Sequence, residues 1–162
     1  MAKFLKTLHS TKKIYSCDTF TGIPYDDQYS TIKDAKGMYS DTSIESVQQT
    51  LKDFDADSNV ELIKGKFEDT LENKLADKKF SFIFVDCDIY KSTVTGLNFG
   101  YPRLVSGGII MFDDYDRKPD LWGQTKAVDD FCQKNQIKVH SDNSRYNQIP
   151  YITKQTQQND IS

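Results

Sequence analysis

The chain has 162 residues, of which 37% are apolar and 12% aromatic, values that suit one globular domain with its own core and exclude a disordered protein. A formal net charge of −3 offers no electrostatic footing for nucleic acid, and no apolar run approaches the ~20 residues of a membrane helix. The N-terminus lacks a signal-peptide core, and Cys17, Cys87 and Cys132 are too scattered for a disulfide framework or a zinc motif, so a cytoplasmic protein is expected.

In chain order, residues 2–9 form an amphipathic stub that leads into a short strand over 14–17. A loop rich in Gly, Pro and Asp follows to about residue 41. Residues 43–54 read as a helix, because Ile44, Val47, Leu51 and Phe54 recur at three- and four-residue spacing, with Asp41 and Thr42 as caps. A strand over 60–63 ends at Gly65, and a short helix covers 67–75. Residues 80–85 are nearly all apolar, as expected of a strand covered on both faces. A helix over 92–104 is expected to break near Gly100 and Pro102. After the Gly107-Gly108 turn, residues 109–112 form a second apolar strand. A helix over 125–134 turns Ala127, Val128 and Phe131 inward. Strands over 137–140 and 149–153, joined by a turn-rich segment over 141–147, close the domain as an antiparallel edge hairpin. The domain is expected to run over 1–154, with a polar tail over 155–162.

Alternating strands and helices imply a parallel doubly wound α/β sheet, in which ligands bind beyond the C-terminal strand ends. Three strands here finish on a carboxylate. The strand over 80–85 runs into Asp86-Cys87-Asp88, that over 109–112 into Asp113-Asp114-Tyr115, and the first strand into Asp18. If the two apolar strands are neighbours, Asp86, Asp113 and Asp114 crowd together, and such carboxylates repel unless a cation or protons intervene. An all-oxygen set favours Mg²⁺, Mn²⁺ or Ca²⁺, and an ion there would lower the pKa of a substrate hydroxyl. The plainer alternative is that these aspartates cap helices or lie in solvated loops. For Asp18, binding of ribose hydroxyls and a simple turn role stand level. Phe20, Phe67 and Trp122 could exclude water from a site, though packing is the commoner use of such residues.

The motifs Asp18-Thr-Phe-Thr-Gly22-Ile-Pro24, Gly65-Lys-Phe67-Glu-Asp69-Thr-Leu71, Val85-Asp-Cys-Asp-Ile-Tyr-Lys-Ser-Thr93, Tyr101-Pro-Arg-Leu-Val-Ser-Gly-Gly108, Phe112-Asp-Asp-Tyr115 and Ala127-Val-Asp-Asp-Phe131 occur in that order. Together they resemble the macrocin O-methyltransferase family over residues 13–154. The resemblance implies a Rossmann-like class I methyltransferase sheet with a C-terminal antiparallel hairpin. It also implies S-adenosylmethionine as methyl donor, Mg²⁺ (or Mn²⁺), and a sugar or natural-product hydroxyl as acceptor. By the same resemblance Asp18 binds the cofactor ribose, and Gly65 and Phe67 lie beside its adenine. Asp86, Asp113 and Asp114 are then the metal ligands, with Asp86 also the base. Asp88 and Tyr90 shape the same pocket without a defined role.

One departure from the family stands out. None of the eight glycines forms the glycine-rich loop that normally passes under the methionine part of the cofactor, so the fold is expected to be N-terminally truncated, with its first strand absent. That leaves two strand edges unpaired unless a homo-oligomer or a partner supplies the missing one. The isolated chain is therefore expected to bind S-adenosylmethionine weakly. A non-catalytic remnant or binding module is the competing reading. An Asp-x-Asp glycosyltransferase is a third, which leaves Asp113 and Asp114 unexplained.

Overall fold

Residues 1–32, 34–116, 122–141 and 149–155 are described by the structure, a computed structural model. The chain divides into two compact units, Met1–Tyr25 with Lys36–Lys74 and Asp26–Ala35 with Leu75–Ser162.

The first unit holds α1 (Ala2–Thr7), β1 (Ile14–Asp18), α2 (Ile44–Asp53), β2 (Val60–Lys64) and α3 (Phe67–Leu75) up to Lys74. β1 and β2 pair in parallel, with Ile14 opposite Val60 and Asp18 opposite Lys64. Phe20, Ile23, Ala56, Ile63 and Leu71 are buried here. The cap of α2 is Ser43 rather than Asp41 or Thr42. Ser43 Oγ accepts from the Ser46 N–H at 3.1 Å, and Ser46 Oγ accepts from the Ser43 N–H at 3.1 Å, a reciprocal box that satisfies two orphan donors. The apolar stripe of α2 is less buried than its spacing suggests. Ile44, Val47 and Leu51 are half-buried and Phe54 is exposed.

The second unit holds β3 (Phe80–Val85), α4 (Tyr90–Arg103), β4 (Leu104–Phe112), α5 (Gly123–Asn135), β5 (His140–Ser141) and β6 (Pro150–Thr153). Its sheet order is β3-β4-β6-β5. β3 and β4 are parallel, with Val85 opposite Phe112, while β6 is antiparallel to both β4 and β5. The expected edge hairpin is thus present, but its first strand shrinks to two residues, because Ile137 and Val139 pack against the core instead of pairing. The segment expected to turn between these strands lies outside the described residues from 142 on, as does the tail after 155.

Val85, Ile110, Phe112 and Ile152 of the sheet pack with Leu97 of α4 and with Val128 and Cys132 of α5. The inward residues of α5 are as its periodicity predicts, with Ala127 and Val128 fully buried. The both-sided covering expected of β3 does not hold. Phe84 is 48% exposed, while Phe82 on the same face is half-buried. Nor does α4 break near Gly100. Gly100 lets β3 approach closely, since a Cβ there would stand 2.7 Å from Ile83 Cδ1. Pro102 removes a donor only in the last turn, where the helix is about to end at Arg103.

Among the described residues β1 pairs only with β2, and β3 only with β4. No helix among them is long and apolar enough to cross a membrane.

Candidate active site

The acidic strand ends of the second unit are held by backbone bonds. The Asp113 N–H donates to Val85 O at 3.1 Å, tying the C-terminal ends of β3 and β4 together. After β3 the chain makes a three-residue turn, closed by the Ile89 N–H on Cys87 O at 2.6 Å. At its centre Asp88 takes a left-handed φ of 57°, a conformation that Asp tolerates better than most residues but that still costs about 1 kcal/mol. Cys87 turns inward, its Sγ 3.3 Å from Thr93 Oγ1, and burial pushes its pKa up to about 12.

Asp86, Asp88 and Asp114 each offer a carboxylate oxygen, and these atoms lie within 4.8 Å of one another. Asp86 is exposed, Asp88 half-buried, and Asp114 only 2% exposed. Asp113, half-buried, is not part of this group. Three oxygen donors at this spacing suit a hard divalent cation, whose ligand distances of roughly 2.0–2.6 Å allow such separations around one ion.

Two residues that the sequence did not single out complete the arrangement. Gln124, fully buried, accepts from the Asp114 N–H at 2.8 Å and donates to Val85 O at 3.3 Å. The signal was available, because Gln124 falls on the same three- and four-residue spacing as Ala127, Val128 and Phe131, which makes it a polar residue on a buried face. Asp27 caps α4 from 63 residues away. Its Oδ2 accepts from the Tyr90 N–H at 2.8 Å, and its Oδ1 from the Tyr29 N–H at 3.0 Å. No local pattern announces that contact.

Around the start of α4 the rings of Tyr29 and Tyr90 lie 4.7 Å apart. The Tyr90 hydroxyl donates to Asp130 at 3.1 Å, and Lys126 pairs with Asp130. The lysine's hydrogen bond holds the Asp130 carboxyl below its usual range, and the same bond raises Lys126. Tyr115 donates to Asp129 at 2.8 Å, and burial together with that bond raises its pKa.

In the first unit, Asp18, Gly65 and Phe67 come together at the C-terminal ends of β1 and β2. The Gly65 N–H donates to Asp18 O at 2.9 Å, and Asp18 Oδ1 accepts from the Phe20 N–H at 2.6 Å. The Asp18 side chain is exposed, and Phe67 is half-buried as the first residue of α3. Phe20 is core, at 6% exposure, whereas Trp122 is exposed beside the N-terminus of α5.

Parallel strands ending in carboxylates, with an antiparallel closing strand beyond them, belong to the class I O-methyltransferase fold. The chain is similar in structure to the O-methyltransferase NovP, with a TM-score of 0.79 and 24% identity, covering 96% of this chain and 66% of that one. It is also similar to a calicheamicin methyltransferase, with a TM-score of 0.76 and 21% identity, covering 94% of this chain and 65% of the other. Residues 1–145 match the family described as macrocin-O-methyltransferase (TylF), and the chain belongs to that family. Demethyldecarbamoylnovobiocin O-methyltransferase from Streptomyces niveus is 29% identical over 133 residues, which are 78% of this chain and 49% of the relative. The chain therefore spans about half the length of that curated relative.

Proposed function

We propose that this chain carries the metal and ribose-side residues of an S-adenosylmethionine-dependent O-methyltransferase acting on a hydroxyl of a sugar or natural-product small molecule. The observation that carries the reading is the convergence of Asp86, Asp88 and Asp114 at neighbouring strand ends in a member of this family. The novobiocin and calicheamicin compounds in the relatives' names support the acceptor class.

When bound, S-adenosylmethionine supplies an electrophilic methyl group on a sulfonium. The exposed carboxylate of Asp18 would accept hydrogen bonds from ribose hydroxyls, and Gly65 and Phe67 would lie on the adenine side. A Mg²⁺ or Mn²⁺ ion would be held by Asp86, Asp88 and Asp114, with Asp113 as a neighbouring carboxylate, and would favour the ionised form of an acceptor hydroxyl. Asp86, the exposed member of the set, is the base that takes the hydroxyl proton. Orientation of the acceptor oxygen and fixed charge around it are what these residues contribute to rate.

Mn²⁺ titration of the full chain, followed by calorimetry or by loss of the free-ion spin-resonance signal, tests the site. Wild-type protein should bind one ion, Asp88→Asn should weaken it by at least about tenfold, and Asp113→Asn by much less. Absence of binding in the wild type would refute the metal reading. An Asp113→Asn effect equal to that of Asp88→Asn would return Asp113 to the ligand set.

A further inference from the structure

We infer that Gln124 is a positioning residue, and that its amide fixes the geometry in which the three carboxylates converge; this rests on the metal reading above. Three hydrogen bonds join this one residue to the acidic segments. Oε1 accepts from the Asp114 N–H at 2.8 Å, and Nε2 donates to Val85 O at 3.3 Å, the last carbonyl of β3. The backbone N–H of Gln124 donates to Asp88 O at 3.0 Å, which pins the left-handed turn. One residue of α5 thus ties down the end of β3, the turn at Asp88 and Asp114, two residues past β4.

The need for such a brace follows from the charges. Three carboxylates within 4.8 Å of one another repel, and the backbone carrying them relaxes apart unless it is held. A core filler would satisfy packing at this position without binding all three segments. Val85 O would keep a partner in the Asp113 N–H, but the buried Asp114 N–H would lose the acceptor that Gln124 gives it. The consequence falls on Asp114, the most buried carboxylate of the set, and so on metal affinity. Residues that orient metal ligands typically contribute about 10–100-fold to affinity.

The test uses the full chain with Gln124→Met, which keeps the side-chain volume and removes the amide. Mn²⁺ affinity should fall by about tenfold or more, and exchange of the Asp114 amide should accelerate while circular dichroism stays native. Thr125→Val serves as control. It removes a buried acceptor, bonded to the Asp116 N–H at 2.9 Å, and should lower stability without changing Mn²⁺ affinity. Should Gln124→Met fail to fold, a Mg²⁺ titration of wild-type protein decides by NMR. The Gln124 side-chain amide and the Asp114 amide must then shift together with metal occupancy. Native Mn²⁺ affinity in folded Gln124→Met, or unmoved amides in that titration, would overturn the role of Gln124 while leaving the metal site standing. A wild type that binds neither ion would remove the site, and this inference with it.

Discussion

Substituting Gly123 by alanine strikes the contact that holds the start of α4 in place. A Cβ on Gly123 would stand 1.7 Å from Asp27 Oδ2, 2.9 Å from Asp27 Cγ and 2.5 Å from the Tyr90 nitrogen. The carboxylate cannot simply rotate aside, because its two oxygens accept from the Tyr90 and Tyr29 N–H groups. Moving it forfeits a helix cap worth about 1 kcal/mol. The backbone nitrogen must also give way, and overpacking of this kind costs about 1–3 kcal/mol. Against this, replacing glycine with alanine returns about 0.4–1 kcal/mol through the unfolded chain. The net is a loss of about 2 kcal/mol, which for a chain of this size lowers Tm by about 4–8 °C. Thermal melts followed by circular dichroism measure it. Asp27→Ala alone should cost about 1 kcal/mol, and the double variant should be milder than the sum, since the nearest clashing atom is gone. A Gly123→Ala protein that melts at or above the wild-type temperature would refute the packing argument, and strict additivity would refute the role given to Asp27.

Gly22 and Gly37 share a φ of 86°, yet a Cβ on Gly22 would lie 2.3 Å from Met38 O while one on Gly37 would meet nothing within 4 Å. Both alanine variants carry the left-handed penalty of about 1–2 kcal/mol, so urea unfolding should show Gly22→Ala the worse by at least about 1 kcal/mol. Equal losses would mean that the loop shifts freely at Met38. With its pKa pushed up to about 12 by burial, Cys87 should react with iodoacetamide at pH 8 on the order of a thousandfold more slowly in native protein than in denaturant. Its alkylation, read by mass spectrometry, should rise steeply with pH above 8, and rapid native labelling would show that the thiol is not enclosed.

Much of the fold is local enough to be written in the residues. Apolar runs place β3 and the end of β4, which starts at Leu104 and takes in the expected Gly107-Gly108 turn; spacing places α2 and α5, and the helix over Phe67–Leu75 has the bounds that its pattern predicts. The failures share a cause. Phe84 reads as a buried strand residue, but burial depends on which layers exist to cover it. Gly100 and Pro102 read as a helix break, but Gly100 answers to Ile83 on β3. Asp41 and Thr42 read as caps, but the reciprocal bonds require Ser43 and Ser46 at three-residue spacing.

Within the site, the sequence by itself determined that carboxylates follow Val85 and Phe112, and the parallel pairing of β3 with β4 is what brings those ends together. Only the tertiary structure decided which carboxylates face one another. A left-handed turn at Asp88 and the side taken by Asp114 group these two with Asp86 and leave Asp113 out. The physical reason is that side-chain direction at a strand end depends on the bonds that hold the backbone beyond it. Here such a bond comes from Gln124, ten residues from the Asp114 it holds; spacing marks Gln124 as polar on a buried face but does not name its partner.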